Sequence, residues 1–454
     1  MITINNSLQS ISQSGNIRMG LAYAKESHAL FLTKYAKKCP IRLREVCDIE
    51  KGKSITEEEA ISGSIPVVAG GKNFAYYHNE SNRAGNIITV SASGASSGYV
   101  NYWDQPIWAS DCITVISKDE KVYITKFIYY LLKLIQPDIF LLQKGADQPH
   151  VYSDDVGSIF IPEISYEIQC ETLAYIEKTE KEISCLLKDI LSIQGIIDSV
   201  FAREFSFNFK AFEAIKKKKQ YETRIEEFTN NPDLRFSVKF HREAGNYVLH
   251  QLSSITDKKI KHFLSEPIVL GASISPDDYS DNEGTFYISM ASIKNWRFEA
   301  ENANFVSDQY ASFNSEKTVR KNDIILARSG EGTIGKVALI SDDNIRGVFA
   351  DFTMRIRLKD YNPEFAYYYF RTAYFQYLIE VYKKGLGNNT NIFPINIQEF
   401  PLLDISQDEQ QRIVDEIHSE ISKQDDIKKR IANLRRDIDG IIKQTIIGDD
   451  NNPI

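Results

Sequence analysis

The sequence predicts an α+β protein in which a β-rich domain with one short aromatic helix occurs twice, each copy followed by a long helix. Three observations carry this expectation: an internal repeat, short β-branched runs separated by turn residues, and two apolar seams at heptad spacing. At 454 residues the chain is long enough for at least two domains, each burying its own core.

The repeat organises everything else. Gly85-Asn86-Ile87-Ile88-Thr89-Val90-Ser91-Ala92-Ser93-Gly94, closing at Gly98-Tyr99-Val100, is echoed by Lys321-Asn322-Asp323-Ile324-Ile325-Leu326-Ala327-Arg328-Ser329-Gly330, closing at Gly335-Lys336-Val337. Further along, Ala109-Ser110-Asp111 answers Phe349-Ala350-Asp351, and Phe127-Ile128-Tyr129-Tyr130 answers Phe365-Ala366-Tyr367-Tyr368. Lys144-Gly145 matches Lys384-Gly385, and Ile161-Pro162 matches Phe400-Pro401. The order is kept throughout. Upstream, Leu43-Arg44-Glu45-Val46 resembles Leu249-His250-Gln251-Leu252 at a shorter offset, which places an insertion near the start of the second copy.

Strands are expected at Ile87 to Val90, Ile113 to Ile116, Phe286 to Ile288 and Val337 to Ile340, each bounded by Gly, Asn, Asp or Ser. The tails read as helices. The first seam holds Leu173, Ile176, Glu180, Ile183, Leu187, Ile190, Gln194, Ile197 and Phe201, with isoleucine at every d position from Ile176 to Ile197. The second holds Ile413, Ile417, Glu420, Gln424, Ile427, Ile431, Leu434, Ile438 and Ile441. Pairing the two helices buries both seams at once, with Ile176, Ile183, Leu187, Ile190 and Ile197 facing Ile427, Ile431, Leu434 and Ile438. The rival reading docks each stripe on its own β-domain.

Composition narrows the class. An apolar share of 43% and a charged share of 26% are those of an ordinary folded chain. The longest apolar stretch, Phe127 to Ile135, ends at Gln136-Pro137-Asp138, short of the roughly 20 residues that span a bilayer. The start of the chain lacks the pattern of a secretory leader, so a cytoplasmic protein is expected. The five cysteines, Cys39, Cys47, Cys112, Cys170 and Cys185, fall in no C-x-x-C spacing and are expected to be reduced and structural. A net charge of −8 argues against nucleic acid unless basic residues cluster apart from the acids, which concentrate in helical segments such as Glu177-Lys178-Thr179-Glu180-Lys181-Glu182.

Catalytic signatures are missing from the sequence. Gly330-Glu331-Gly332-Thr333-Ile334-Gly335-Lys336 fits both G-x-G-x-x-G and G-x-x-x-x-G-K, but Val337 stands where a P-loop needs Ser or Thr. The run after it reads as a strand, not as the helix whose N-terminus would face a phosphate. No amino-methyltransferase or H-E-x-x-H motif is present, and none of the seven histidines is spaced as a metal pair. No metal or catalytic residue is expected.

What remains is a doubled set of loop residues suited to DNA edges and phosphates. In the first half these are Lys72, Asn73, Ser91, Ser93, Ser96, Ser97, Tyr99, Gln148 and His150. In the second they are Lys294, Asn295, Arg328, Ser329, Lys336, Lys383, Lys384, Asn388, Asn389 and Asn391. Arg and Lys pair with guanine, Asn and Gln with adenine, in the major groove. Ser91 and Arg328 are taken as matching positions that differ between the halves.

Two β-rich halves, each with an I-I-x-x-x-S-G-x-x-G-like turn and a Pro-led long helix, resemble the specificity subunits of Type I restriction-modification systems. Phe400-Pro401-Leu402-Leu403 followed by Asp408-Glu409-Gln410-Gln411-Arg412-Ile413-Val414 is the most specific match, because members have a Glu-Gln pair opening each long helix. The first copy departs from it with Ile161-Pro162 and Glu167-Ile168-Gln169. The resemblance covers about Ile41 to Ile447. It implies target-recognition domains at 41–165 and 246–403, spacer helices at 166–215 and 404–448 forming an antiparallel coiled coil, a linker at 216–245, an N-terminal extension at 1–40 and a tail at 449–454. It further implies double-stranded DNA, DNA adenine methyltransferase subunits and motor-nuclease subunits as partners, with S-adenosylmethionine, ATP and magnesium held by those partners. Taking Glu167 to about Phe205 as one helix gives a spacer of roughly 60 Å at about 1.5 Å per residue. The readings that compete are a coiled-coil scaffold that does not read DNA and a nucleotide-binding enzyme using Gly330 to Lys336.

Overall fold

Two buried β-branched runs, Ile87–Ser91 and Ile324–Ala327, form the central strands of two four-stranded antiparallel sheets. Every residue in both runs is buried, as expected of strands covered on both faces. The structure is a computed structural model that describes residues 41–145, 147–222, 224–226, 239–281, 284–385 and 387–447. The extension 1–40 with Cys39, Ala146, the tail 449–454 and the side chain of Asn388 lie outside the described residues.

The chain divides into two units. One holds the residues up to Asp189 together with those from Lys428, and the other holds Ile190–Ile427. In the first unit the main sheet runs Cys47–Lys51, Cys112–Ser117, Ile87–Ser91, Val100–Trp103, beside a smaller sheet of Tyr76–His78, Ile65–Val68 and Trp108–Ala109. The second repeats both sheets, as Val269–Leu270, Thr353–Ile356, Ile324–Ala327, Val337–Leu339 and as Tyr279–Ser280, Asn304–Val306, Thr285–Ile288, Gly347–Phe349. In each copy a left-handed asparagine, Asn86 (φ 58°) or Asn322 (φ 74°), turns the chain into the central strand. The insertion in the second copy carries an extra edge strand, Tyr279–Ser280, a two-residue hairpin across Ile293–Phe298 and the helix Asp308–Phe313.

One expected alignment is corrected. The counterpart of Leu43–Val46 is the 3₁₀ turn Ile260–Phe263, because Leu43 N–H donates to Ile159 and Ile260 N–H donates to Phe400 in the same way, 2.8 and 3.0 Å. Leu249 to Leu252 lie instead in the helix Glu243–Ser253, which buries Ala244, Val248 and Leu252 in the second unit. Part of the 216–245 segment therefore belongs to a packed helix rather than to a linker.

Five helices frame the two units: α1 (Thr125–Leu134), α2 (Tyr166–Lys188), α3 (Ile193–Phe205), α4 (Pro363–Arg371) and α5 (Gln407–Ile447). α1 and α4 are the short aromatic helices, burying Phe127 and Tyr130 in one unit and Phe365, Tyr368, Tyr369 and Phe370 in the other. Each is tied to the long helix of its own unit by a buried glutamine. Gln169, 0% exposed, accepts from Ile124 N–H at 2.9 Å and donates to the carbonyls of Val122 and Ile164, both at 2.9 Å. Gln410, 1% exposed, accepts from Asn362 N–H at 2.7 Å and donates to Ile405 at 2.8 Å. Ser165 and Ser406, four residues before each glutamine, accept N–H groups at the starts of the long helices. The landmark that persists in both copies is thus this glutamine, while Pro162 and Pro401 are not equivalent. Tyr123 O–H reaches the carbonyl of Pro162, and its counterpart Tyr361 reaches that of Leu403.

The single helix expected over 166–215 is three. α2 ends at Lys188, Ser192 caps α3 by accepting from Gly195 N–H at 3.0 Å, and Leu191 N–H in the break donates to the buried Gln424 at 2.9 Å. Ser206, left-handed at φ 55°, ends α3 before the helix Phe209–Lys216. The break also redirects the seam. In the first unit α2 buries Leu173, Ile176, Thr179 and Ile183, leaving Glu180 and Leu187 exposed, the latter by 48%. A straight helix advances 3.6 residues per turn, so a seam kept at 3.5 rotates away from its partner. Ile190 sits in the break, half-buried.

Within the first unit α2 runs antiparallel to the end of α5. Thr172 Oγ1 lies 3.0 Å from Thr445 Oγ1, and Arg430 Nη2 is 2.9 Å from Glu182. Ile431, Leu434, Ile438 and Ile442 are buried there, with Ile442 taking the place expected of Ile441. Within the second unit α3 runs antiparallel to the start of α5, with ion pairs Arg412–Glu204 and Arg203–Glu416. Arg412 and Arg203 hold the Glu204 carboxyl below the usual carboxylate range. Ile197 does not sit in a two-helix seam alone: with Ile196, Val200 and Phe201 it enters the aromatic core of Phe365, Tyr369 and Phe375, which also takes Ile413 and Ile417. Ile427 is half-buried. The four described cysteines are unpaired, and burial pushes the thiols of Cys47 and Cys112 up to about 12. No described helix is long and apolar enough to cross a membrane.

Gln410→Leu should destabilise the protein by roughly 1–3 kcal/mol, because Asn362 N–H and the Ile405 carbonyl lose their buried partner. An unchanged thermal midpoint would show that the amide constrains nothing. A second pair of variants tests the seam. Ile176→Asp should cost several kcal/mol, while Leu187→Asp stays within about 0.5 kcal/mol. Equal losses in denaturant titration would contradict the burial pattern of α2.

Candidate functional site

The glycine-rich segment of each copy is a hairpin loop between antiparallel strands, Ile87–Ser91 with Val100–Trp103 and Ile324–Ala327 with Val337–Leu339. This removes the phosphate-loop geometry from Gly330 to Lys336, since a strand and not a helix N-terminus comes after the loop. Both loops close in one way. Gly98 N–H donates to Ser91 at 2.7 Å and Gly335 N–H to Ala327 at 2.8 Å, while Ser91 N–H and Ala327 N–H donate to Tyr99 and Lys336, both at 2.9 Å. Ser91 is therefore the counterpart of Ala327. Arg328 stands opposite Ala92, which corrects the expected match with Ser91.

Glycine is required at the loop exits. Gly98 and Gly335 sit at φ +87° and +85°, and a Cβ on Gly335 would lie 2.8 Å from Gln376 Oε1. Gln376 donates to the Gly335 carbonyl at 2.9 Å, and Gln136 donates to that of Gly98 at 2.7 Å. These two glutamines, at matching repeat positions, were not singled out from the sequence. Their signal was their shared offset.

A second loop docks on the first in each unit. Lys144 and His150 exchange backbone hydrogen bonds of 2.8 Å, as Lys384 and Asn391 do at 2.8 and 2.7 Å. His150 bridges to Ser93, and Asn391 bridges to Ser329. Val151 N–H then donates to Ala92, and Ile392 N–H to Arg328, both at 2.9 Å. One backbone frame thus presents His150 and Lys144 in the first unit, and Asn391, Lys384 and Arg328 in the second.

The side chains expected at this surface divide into two groups. In the first unit Lys72 and Lys133 lie over the Tyr99 ring, at 5.8 and 3.9 Å, and Asn101 donates to the Lys72 carbonyl at 2.8 Å. Lys72, Asn73 and Gln148 are exposed, and Ser93, Ser96, Tyr99 and His150 are half-buried. Ser91 and Ser97, 3% and 0% exposed, do not face outward: Ser91 Oγ donates to Gly71 at 3.0 Å, and Gln143 donates to the backbone carbonyl of Ser97 at 2.7 Å. Ser93 Oγ bonds Asp111.

In the second unit Lys384 and Asn389 are exposed, and Arg328, Lys336 and Asn391 are half-buried. Ser329 is buried, and Lys383 is also buried, with Nζ 3.1 Å from Glu331 and 2.6 Å from Glu380, so neither side chain faces outward. Lys294 and Asn295 belong to the inserted hairpin, whose turn residues Asn295 and Trp296 have φ of 49° and 62°. Lys294 donates to Asn302 at 2.8 Å and Asn295 to Glu299 at 2.7 Å, so these two brace their own loop. Three exposed aromatics were missed. Tyr152, 51% exposed, lies under Lys144 at 5.1 Å, and Phe393, 39% exposed, occupies the same repeat position beside Arg328. Phe352 flanks Arg328 from the other loop. Among the described residues no group of three or more His, Cys, Asp or Glu side chains is placed to hold a metal ion.

The description that matches the chain is Type I restriction modification DNA specificity domain, over residues 37–192 and again over 267–435. A protein named as a type I specificity subunit in Mycoplasma genitalium is 24% identical over 168 residues, 36% of this chain and 44% of that protein. One with the same description in Mycoplasma pneumoniae is 26% identical over 170 residues, 36% of this chain and 45% of that protein. The match to these relatives thus spans less than half of their length. A solved structure titled for complex assembly and conformational transition of the type I R-M system covers 91% of this chain and 100% of its own, with a TM-score of 0.54 and 13% identity, which is a likeness of fold. Two matched copies, falling on the two halves that share one loop frame, show that the chain belongs to the Type I restriction modification DNA specificity domain family.

Proposed function

We propose that this chain is the DNA-reading, non-catalytic subunit of a restriction-modification complex, with each unit reading one half of a split target. The observation that carries the reading is the doubled loop frame with unlike side chains. The backbone bonds of Lys144 and His150 recur at Lys384 and Asn391, while Ala92 gives way to Arg328 and Tyr99 to Lys336. A frame held by backbone hydrogen bonds and glycines lets outward side chains change without cost to the fold, as base-edge recognition requires.

The long helices supply the docking surface for DNA adenine methyltransferase subunits, and motor-nuclease subunits complete the assembly. S-adenosylmethionine, ATP and magnesium act in those partners. The reader's task is to hold double-stranded DNA while the target adenine remains accessible to a methyltransferase that extrudes it.

In the source strain, single-molecule methylome sequencing should reveal a split adenine-methylated motif that disappears when the gene for this chain is deleted. A methylome unchanged by the deletion would remove the reading. With the motif in hand, a Gln148→Ala and His150→Ala double variant should alter preference in one half of it. An equal change in both halves would mean that the units do not read independently.

A further inference from the structure

The second unit holds an arginine whose setting suits one base. Arg328 Nε donates to the carbonyl of Asp351 at 3.0 Å, which fixes the plane of the guanidinium. The rings of Phe352 and Phe393 flank it, each 5.9 Å from the guanidinium carbon, at the outer range of a cation–π contact. Its backbone is pinned on both sides, by its own N–H to Phe352 at 3.0 Å and by Ile392 N–H to its carbonyl at 2.9 Å. Among the described residues neither Nη donates to a protein acceptor.

Nearby acids are otherwise engaged. Glu331, three residues on in the same loop, is paired with Lys383 and accepts from Thr390. Asp351 takes the hydroxyl of Ser273 at 3.1 Å. The arginine is thus held in place yet left without an ion pair among the described residues, beside exposed apolar surface at Phe352 (47%) and Phe393 (39%).

We propose that Arg328 reads a guanine in the half-site of the second unit, with Phe352 and Phe393 as positioning residues that hold its fork; this rests on the DNA-reading function proposed above. With Nε occupied, the group presents two adjacent Nη donors and no acceptor. In the major groove guanine alone offers two neighbouring acceptors, O6 and N7, whereas adenine sets its N6 donor beside N7 and would face donor with donor. The apolar rings favour a base edge over a phosphate, since aromatic faces next to an anion gain nothing, while a thymine methyl beside the guanine would find contact. The first unit has Ala92 at this position, and Lys144, over Tyr152 from the other loop, is paired with Asp155 at 2.9 Å, so its half-site should not share the guanine requirement.

The test uses the full chain and a pool of DNA duplexes with a randomised core, selected by binding and sequenced. The unaltered protein should enrich a split motif with a fixed guanine in one half. Arg328→Ala should accept any base there and keep the rest of the motif, and on single duplexes the preference for guanine, on the order of tenfold to a hundredfold, should vanish. Arg328→Lys keeps the charge without the planar fork, so affinity should persist while the guanine preference falls. Phe393→Leu should weaken discrimination at that same position with little change in overall affinity. The inference is overturned if Arg328→Ala enriches an unchanged motif, binds all sequences more weakly and loses about one unit of salt dependence, the signature of a phosphate contact. A motif indifferent to Arg328 also sinks it while leaving the reader function intact. If the unaltered protein enriches no motif, the reader function falls and this inference with it.

Discussion

The buried glutamine at the start of each long helix is the constraint on which the rest of each unit depends. Gln169 and Gln410 have almost no exposure, and their amides both accept and donate to backbone groups. A buried amide left half-satisfied would be costly in a low-dielectric interior, so each glutamine determines where its helix begins relative to the aromatic helix beside it. The aromatic helix in turn sets the loops. From the helix next after α1 and from the one next after α4, Gln136 and Gln376 hold the glycine exits of the two hairpins.

This chain of contacts separates stability from recognition. What closes the two loops on each other is backbone hydrogen bonding and left-handed glycine, at Gly98 and Gly335 among others, and neither depends on the outward side chains. Buried polar residues that looked like readers, Ser91, Ser97, Ser329 and Lys383, do not face outward. The outward set gains aromatics that the sequence alone did not indicate, Tyr152 in one unit and Phe352 and Phe393 in the other, beside exposed polar residues such as Lys72, Gln148 and Lys384.

The long helices show the same economy of parts. α5 is continuous over 41 residues, but the helical segment that accompanies it is cut at Asp189 to Ser192, where Ser192 starts a new helix and Gln424 takes the Leu191 N–H released in the gap. The cut lets Ile196, Ile197, Val200 and Phe201 face an aromatic core that a straight heptad seam would not have reached. Pairing of helices and docking on a domain are therefore both present, and they divide between α2 and α3.

The sequence by itself determined the α+β class, the two copies, their order of landmarks and the presence of two long helices, because a repeat and a hydrophobic period are properties of residue order. It also located the two loops that meet in each unit, since Lys-Gly and the glycine hairpin recur together. Tertiary structure alone decided the rest. Whether Leu187 turns inward depends on where the helix breaks and on the rotation of a 3.6-residue turn against a heptad. Whether a lysine such as Lys383 reaches solvent or is captured by Glu331 and Glu380 depends on residues distant in the chain being brought within about 3 Å, a range at which charge-assisted hydrogen bonds form and which no spacing in the sequence encodes.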